Sequence, residues 1–260
     1  MISAERYGPW AVIAGGSEGI GASFARKLSR AGINLVLIAR HAGPLNQLAS
    51  TLRSETGAQV RTLELDLSRP DMLERVREVT DELDVGLLIY NAADIGSFGP
   101  FLESSLERAL GWVQLIAVGQ TTLAHHFASK MAKRGHGGIL MLGSLTGNAG
   151  SVNLASYGAS KAFTQILGEA LWQELKPHGI DVLVLVVGAA DTPARARSGA
   201  HNPMGLRPSD EVAQLGLDNL TNGPVCLMPT ISHIFRRLCS SPRREAIGMM
   251  SGSVAFDDPE

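Results

Sequence analysis

Tyr157 and Lys161 are the two side chains whose types and spacing first suggest chemistry. They lie four residues apart in Ser156–Ala162, a stretch that the sequence pattern predicts to open a helix reaching Lys176. Residues at positions i and i+4 share one helix face, so the ammonium would lie one turn from the phenol. A phenol ordinarily titrates near pH ~10, and a neighbouring positive charge favours the phenolate. The pair could therefore donate and accept a proton near neutral pH, although the same spacing also arises by chance in many helices.

Composition and charge narrow the classes of protein to consider. The 260 residues, 45% of them hydrophobic, can bury a sizeable core, and we expect a single domain over residues 1–260. The net charge of −2 gives no general attraction to nucleic acid or to an anionic membrane. Cys226 and Cys239 are too few for a disulfide framework or a zinc site. The sequence has neither a signal-peptide pattern nor a membrane-spanning apolar run, so we expect a cytoplasmic protein with no membrane span, no nucleic-acid partner and no metal.

Apolar runs typical of buried parallel strands alternate with amphipathic stretches typical of helices. The predicted strands are Trp10–Ala14, Asn34–Ala39, Val60–Leu67, Val85–Asn91, Gly138–Gly143, Ile180–Val187 and Pro224–Met228. The predicted helices are Gly19–Ala31, Gly43–Thr56, Pro70–Leu83, Leu106–Arg134, Ser156–Lys176 and Ser209–Thr221. This order predicts an α/β fold, a Rossmann-type, doubly wound, mainly parallel seven-stranded sheet with helices on both faces. The turn-rich segment Pro193–Pro208 would lie over the carboxyl edge of the sheet and is a candidate substrate lid.

A glycine-rich turn follows the first predicted strand and opens the next helix. It reads Gly15-Gly16-Ser17-Glu18-Gly19-Ile20-Gly21. Glycines in this place allow a tight turn, and the helix N-terminus offers free N–H groups to a pyrophosphate. The position between a strand and a helix favours nucleotide binding over a purely structural turn. A carboxylate near that phosphate would be unfavourable, so we expect Glu18 to point outward.

Arg40 follows the second predicted strand, where dinucleotide-binding folds contact the adenosine ribose. No carboxylate stands there to accept hydrogen bonds from two ribose hydroxyls, whereas a guanidinium could bind a 2′-phosphate. The sequence therefore favours NADP(H) over NAD(H). The alternative is a surface arginine at a strand end.

Together with other motifs, these residues resemble the short-chain dehydrogenase/reductase family over about residues 7–192. Gly15, Gly19 and Gly21 look like the family's Gly-x-x-x-Gly-x-Gly, and Tyr157 with Lys161 looks like its Tyr-x-x-x-Lys. The other matches, in chain order, are Asp66-Leu67, Asn91-Ala92-Ala93, Ser144 and the segment Gly188 to Thr192. Several motifs in the family's order are far more specific than any single one.

The resemblance implies an oxidoreductase that reduces a ketone or aldehyde, or oxidises a secondary alcohol, by hydride transfer. Ser144, Tyr157 and Lys161 would be the catalytic residues, with Tyr157 as general acid and base, Ser144 bonded to the same substrate oxygen, and Lys161 holding the nicotinamide ribose and lowering the tyrosine pKa. The implied cofactor-binding residues are Gly15, Ser17, Gly19, Ile20, Gly21, Arg40, Asp66, Leu67, Asn91, Ala92, Tyr157, Lys161, Gly188 and Thr192.

Resemblance also bears on the substrate and the assembly. The opening Tyr7-Gly8-Pro9-Trp10-Ala11-Val12 looks like that of members acting on steroids or 3-ketoacyl thioesters, which implies a small-molecule carbonyl or alcohol substrate of apolar character. Relatives commonly form homodimers or homotetramers through helices corresponding to Leu106–Arg134 and Ser156–Lys176. The arginines of the candidate lid, Arg195 and Arg197, with His201 and Asn202, would either meet an acidic substrate or simply be solvated, and we favour solvation.

One departure from the family pattern concerns proton supply. The family has an asparagine in the helix after the fourth strand, where this chain has Ile116. An aliphatic side chain cannot hold the water that would link the lysine to solvent, although Gln114 or a backbone carbonyl could substitute. The alternative hypothesis is therefore a nucleotide-binding, catalytically weak or inactive homologue of regulatory function.

Overall fold

A computed structural model describes residues 2–96, 98–198 and 205–254. Its central feature is a parallel sheet of seven strands in the order β3-β2-β1-β4-β5-β6-β9. A second, two-stranded parallel sheet is formed by β7 and β8. The strands are β1 Trp10–Ala14, β2 Asn34–Ala39, β3 Val60–Glu64, β4 Val85–Tyr90, β5 Gly137–Ser144, β6 Ile180–Val187, β7 Ala190–Asp191, β8 Arg207–Pro208 and β9 Val225–Leu227.

Helices connect the strands and cover both faces of the large sheet. They are α1 Ala4–Tyr7, α2 Gly19–Arg30, α3 Ala42–Thr56, α4 Met72–Thr80, α5 Leu106–Trp112, α6 Gly119–Arg134, α7 Ala155–Leu175, α8 Pro193–Ser198, α9 Ser209–Asp218, α10 Ser232–Ser240 and α11 Arg243–Val254. Glycines in the left-handed region end α3 at Gly57 and α6 at Gly135, because this conformation carries little steric cost without a Cβ. The predicted α/β, doubly wound fold is confirmed.

Two hydrophobic cores, one on each face, hold the helices to the sheet. Successive side chains of a strand point to opposite faces, so Ala11 and Ile13 of β1 enter one core while Val12 and Ala14 enter the other. The first core packs α2, α3 and α9 against the sheet, and the second packs α4, α6 and α7. Strands buried on both faces explain the continuous apolar runs of the sequence.

Several boundaries differ from the sequence predictions. The third strand ends at Glu64, three residues before the predicted Leu67, although Leu65 still donates a backbone bond to Ala39. The predicted single helix Leu106–Arg134 contains a π-helical segment, Val113–Val118, between α5 and α6. The candidate lid begins as α8 and ends in β8, whereas residues 199–204, with the predicted groups His201 and Asn202, lie outside the described residues. Both C-terminal helices, α10 and α11, were absent from the predicted elements.

Candidate active site

A cavity of about 700 Å³ opens at the carboxyl ends of the central strands. Most of the residues predicted to bind the cofactor or to act in catalysis line it: Gly15, Ser17, Gly19, Ile20, Arg40, Leu67, Asn91, Ala92, Ser144, Tyr157, Lys161, Gly188 and Thr192. Parallel strands bring these residues together because their carboxyl ends all meet at one edge of the sheet. Gly21 lies beneath the glycine turn, and Asp66 lines an adjoining recess with Arg40.

The glycine turn is shaped by close backbone contacts that leave no room for side chains. Gly15 has a φ of +78°, and its carbonyl accepts a 2.8 Å hydrogen bond from Nδ2 of Asn91. A Cβ on Gly15 would lie 2.9 Å from the Cα of Ala92, and a Cβ on Gly21 would lie only 1.9 Å from the carbonyl oxygen of Gly15. The resulting cradle, with the N-terminus of α2 behind it, has the form needed for a dinucleotide pyrophosphate.

Glu18 ends the turn and contacts the candidate lid. It stands at the N-cap of α2 without a side-chain capping bond, and its two carboxylate oxygens bind the guanidinium of Arg197 in α8. Thr192 packs against the same turn. A Cβ added to Gly19 would lie only 2.9 Å from Cγ2 of Thr192. Glu18 therefore lines the cavity instead of pointing outward as predicted, and it forms an ion pair that joins the turn to the lid. The pair removes the like-charge conflict with a phosphate, since the carboxylate is neutralised.

Arg40 lies where the sequence predicted a contact to the adenosine ribose. It is about half exposed, and its guanidinium approaches Oδ2 of Asp94 at 3.5 Å. The adjoining recess brings Arg69 and Arg75 to the same place. Asp66 accepts bonds from the backbone N–H and the hydroxyl of Ser68 at 2.9 and 2.7 Å, which hold the turn after β3. Glu64 and Asp66 line the same recess, and Arg69 and Arg75 form ion pairs with Asp71 and Glu78, so this end of the cavity carries charges of both signs.

Tyr157 lies in the first turns of α7, at the other end of the cavity. Its ring is 8% exposed and contacts Phe98 and Trp112, with ring centroids 5.2 and 6.1 Å away. Burial raises the pKa of the phenol to about 12, while hydrogen bonding to Ser144 and the charge of Arg195 act to lower the pKa. The phenol is protonated at neutral pH and is in the correct state to donate a proton.

Lys161 is not among the groups that lower the pKa of Tyr157, although the spacing of the two residues suggested that it would be. Its Nζ donates a 2.7 Å hydrogen bond to the carbonyl of Leu142 in β5 and lies 5.8 Å from the centroid of the Tyr157 ring. The side chain is 4% exposed, and this burial lowers the pKa of the amine to about 8. Burial is therefore the dominant effect on both pKa values, which the spacing of two residues along a helix does not reveal.

The depressed pKa of Lys161 predicts a specific pH dependence of stability. Between its folded pKa of about 8 and its ordinary value of 10.5, the unfolded chain binds more protons, so the unfolding free energy contributed by this group rises with pH. From about pH 7.5 to 9.5 we expect a rise of about 1–2 kcal/mol in wild type relative to Lys161→Met. Urea denaturation at several pH values measures this difference. Parallel curves for the two proteins would show that the amine titrates normally.

Ile116 lies in the π-helical segment and is 1% exposed in the second core. Its neighbour Leu115 lines the cavity instead, and the carbonyl of Leu115 accepts a short hydrogen bond from the buried hydroxyl of Tyr90. Gln114 is exposed. The aliphatic side chain thus offers no hydrogen bond here, and the carbonyl of Leu115 is already bonded to Tyr90.

Sequence reasoning missed several residues of the cavity wall. Met250 reaches the cavity from α11, which is attached to the loop after β5 by bonds from Ser151 to Met250 and from Arg243 to Asn148. The apolar spacing of α10 could have revealed that helix, but no local pattern shows that α11 reaches the cavity. Arg195 lines the cavity, whereas the sequence analysis favoured a solvated side chain.

Comparison with known families identifies the family of this chain. The family model described as short chain dehydrogenase matches residues 9–203. The chain therefore belongs to the short-chain dehydrogenase family, and it is an NAD(P)-dependent oxidoreductase acting on CH–OH and C=O groups. The family and the enzyme class predicted from the motifs are confirmed.

Two groups of curated relatives are similar over most of their length. A 7β-hydroxysteroid dehydrogenase of Collinsella aerofaciens is 31% identical over 201 residues, which cover 77% of this chain and 76% of the relative. A very-long-chain 3-oxoacyl-CoA reductase of Podospora anserina is 33% identical over 247 residues, which cover 91% of this chain and 72% of the relative. Resemblance to steroid and ketoacyl reductases is thereby confirmed.

Solved structures share the whole fold. One, from work on the stereoselectivity of 7β-hydroxysteroid dehydrogenase, has a TM-score of 0.88 at 27% identity and covers 96% of this chain and 99% of its own. A short-chain dehydrogenase from Sphingobium yanoikuyae, solved in complex with NADPH, has a TM-score of 0.81 at 31% identity. The match covers 97% of this chain and 98% of that structure's chain. A ketone-specific alcohol dehydrogenase from Comamonas testosteroni, described as specific for bulky-bulky ketones, has a TM-score of 0.76 at 29% identity and covers 97% and 96%.

The described residues contain no cluster of three or more potential metal ligands among their His, Cys, Asp and Glu side chains. Within the same residues, no helix is both long and apolar enough to cross a membrane.

Proposed function

We propose that this protein is an NADP(H)-dependent reductase of bulky, apolar ketones or aldehydes, or oxidises the corresponding secondary alcohols, with Tyr157 as general acid and base. The observation that carries the proposal is the buried, protonated phenol of Tyr157 beside Ser144, in the same cavity as the glycine cradle. A bound dinucleotide supplies hydride to a carbonyl carbon or accepts it from an alcohol. The residues of the chain then have to bind the cofactor and the substrate, orient them, and exchange a proton with the substrate oxygen.

Each catalytic side chain has a defined task in this proposal. The hydroxyl of Tyr157 donates its proton to the carbonyl oxygen as negative charge develops there. Ser144 donates a hydrogen bond to the same oxygen, and Thr146 orients it by donating its own hydroxyl at 2.9 Å to the Ser144 oxygen. Lys161 would bind the nicotinamide ribose, for which its ammonium must move or share its bond to Leu142.

Apolar walls at the reaction end support a bulky, apolar substrate. Leu145, Leu154, Val187 and Met250 line the cavity near Tyr157, and Phe98 covers the phenol ring. Relatives named for a hydroxysteroid, for a very-long-chain 3-oxoacyl-CoA and for bulky ketones point in the same direction. A spectrophotometric screen of NADPH and NADH against ketones of graded size tests the proposal. We expect turnover with NADPH that is faster with larger apolar ketones, and no turnover across the panel would contradict it.

Arg40 supports the preference for NADP(H). Arg40→Leu should weaken NADPH binding by about tenfold or more, because a charge-assisted hydrogen bond to a 2′-phosphate is lost, and should change NADH binding much less. Asp94→Asn should tighten NADPH binding by up to about fivefold, since an exposed ion pair that competes for Arg40 is worth at most about 1 kcal/mol. Fluorescence titration with both cofactors measures these effects. Arg30→Leu, at the far end of α2, is the matched control.

An equal loss of NADPH and NADH affinity in Arg40→Leu would assign the arginine to the adenine or ribose rather than to the phosphate. Unchanged affinity for both cofactors would leave it as a surface arginine paired with Asp94.

A homodimer is the proposed assembly. Exposed apolar side chains concentrate on two neighbouring elements: Leu106 and Leu110 of α5, with Leu102 before it, and Phe163 and Ile166 of α7. Ile166 is 65% exposed although it stands in the middle of a long helix. Light scattering should give at least twice the monomer mass of 27.5 kDa. Ile166→Arg should shift the protein toward monomer, whereas Ile247→Arg on α11 should not.

A further inference from the structure

Arg195 has an unusual position among the positively charged side chains of the cavity. Arg40 is paired with Asp94, Arg197 is paired with Glu18, and Lys161 is bonded to a backbone carbonyl. By contrast, the guanidinium of Arg195 has neither a hydrogen bond nor an ion pair with any of the described residues, and its Nε is fully buried. The cavity therefore contains a half-buried cation without an anion of its own.

The backbone of α8 holds Arg195 in this position. The N–H of Arg195 donates a 3.2 Å bond to Oγ1 of Thr192, and the carbonyl of Arg195 accepts a 2.8 Å bond from the hydroxyl of Ser198. The chain just before α8 is held by the pairing of β7 with β8 and by a bond that the hydroxyl of Ser209 donates to the carbonyl of Asp191. An arginine that merely solvated a surface segment would have no need of burial or of such fixed placement.

Two arginines of α8 point to opposite ends of the cavity. Positions two apart on a helix differ by about 200°, so Arg195 and Arg197 project in nearly opposite directions. Arg197 reaches the glycine turn through Glu18, at the nucleotide end. The charge of Arg195 acts on the phenol of Tyr157, at the reaction end, where it helps to lower the phenol pKa. The pyrophosphate cradle and the unpaired guanidinium thus lie in different parts of the site.

An unpaired, partly desolvated charge is costly, and burial lowers the pKa of Arg195 for this reason. Among the residues that the structure describes, the carboxylates that line the cavity are those of Glu18 and Asp94, and both are occupied by other arginines. Within this part of the chain Arg195 has no compensating anion, and a bound ligand can supply one. Arginine binds carboxylates and phosphates alike through two parallel hydrogen bonds. The charge of Arg195 acts on Tyr157 rather than at the glycine cradle, so a carboxylate of the substrate fits its position better than a phosphate of the cofactor.

We infer that Arg195 binds a carboxylate of the substrate, so that the preferred substrates are apolar ketones bearing a carboxylate near the reacting carbonyl. The inference rests on the proposed reductase function and names the substrate class of that same site. Arg195 would fix the orientation of the substrate, with the carbonyl oxygen toward Tyr157 and Ser144 and the apolar body against the wall that includes Phe98.

Matched acids and esters test this inference through turnover. The probes are benzoylformate and 3-benzoylpropanoate, each compared with its methyl ester at saturating NADPH and neutral pH. In wild type we expect a higher kcat/KM for the acid than for the ester. Arg195→Gln should lower this acid-to-ester ratio by about tenfold to a hundredfold. Arg195→Lys should restore part of the ratio, since it keeps the charge but lacks the two-pronged geometry. Arg197→Gln, from the same helix, should keep the ratio.

A binding experiment gives a readout that does not need turnover. Calorimetry would measure benzoylformate and its ester binding to NADPH-saturated Tyr157→Phe, with and without Arg195→Gln. Acid binding that depends on Arg195 supports the carboxylate site even if wild type reduces no carbonyl compound, in which case only the reductase proposal fails. Equal binding of the acid and its ester in calorimetry would overturn the inference. So would an acid-to-ester ratio of kcat/KM that Arg195→Gln leaves unchanged. If the main effect of Arg195→Gln were a higher KM for NADPH, Arg195 would be assigned to a cofactor phosphate, and the inference would also be overturned.

Discussion

Tyr157→Phe is expected to lower kcat for ketone reduction by about a hundredfold to ten-thousandfold, the range typical of losing a positioned general acid. The substitution removes only the hydroxyl. The ring stays buried against Phe98 and Trp112, so the shape of the cavity and the cofactor site should be retained. The loss should fall on kcat, because the proton is needed as the carbonyl oxygen becomes an alkoxide.

The measurement is NADPH oxidation with the best ketone of the screen, together with fluorescence titration of NADPH. Cofactor affinity should stay within about threefold, since the deleted hydroxyl serves the substrate oxygen. Tyr7→Phe is the matched control, because it also removes a buried phenolic hydroxyl, but one that donates to Asp181 at the opposite end of the sheet. Its effect should be on stability, about 1 kcal/mol, rather than on kcat.

Normal turnover in Tyr157→Phe would exclude the phenol as the proton donor. Tight NADPH binding by wild type without reduction of any ketone would instead favour the catalytically weak or inactive homologue. This alternative arises because Ile116 stands where the family has an asparagine. Turnover by the wild-type protein distinguishes these two results, because the wild type is active in the first case and inactive in the second.

Gly21→Ala is expected to weaken binding of either nucleotide by about a hundredfold or more. The added Cβ would lie 1.9 Å from the carbonyl oxygen of Gly15 and 2.9 Å from Nδ2 of Asn91. Both atoms are rigidly placed, since they form the 2.8 Å hydrogen bond that fixes the turn after β1. The turn must therefore open, and the N–H groups that would hold a pyrophosphate lose their common orientation.

Fluorescence titration with NADPH and NADH measures this loss, and thermal denaturation shows how much stability is lost with it. Gly248→Ala is the control, because this glycine is exposed on the outer side of α11 and no heavy atom lies within 4 Å of an added Cβ. Alanine is the better helix former, so the control should be neutral or slightly stabilising. Wild-type affinity in a folded Gly21→Ala protein would show that the turn does not hold the pyrophosphate.

The two glycine variants also separate local strain from general helix effects. Both replace a helical glycine by alanine, and only one of them meets fixed atoms. A comparable loss of nucleotide affinity in both would point to indirect destabilisation and would argue against the cradle.

Local patterns in the sequence determined the sheet and the position of the site. Apolar runs separated by amphipathic stretches predict buried parallel strands, and the carboxyl ends of such strands must meet at one edge, which brings Gly15, Asn91, Ser144 and Gly188 together. Six of the seven predicted strands begin and end within one residue of those in the structure, while β3 ends three residues early. The helical spacing of Tyr157 and Lys161 likewise follows from the period of an α-helix.

Only the tertiary structure decided the electrostatics of the site. The desolvation of a side chain depends on the residues that cover it. Tyr157 and Lys161 are covered by segments from distant parts of the sequence. The pKa values of these two groups therefore could not be predicted from their spacing along the helix. For the same reason Arg195 and Arg197, two residues apart and alike in sequence, acquire different environments, one paired with Glu18 and one buried beside the reaction end. Residue types and their periodicity determined the helices and strands. Contacts between remote segments determined which charges are paired and which groups are protonated.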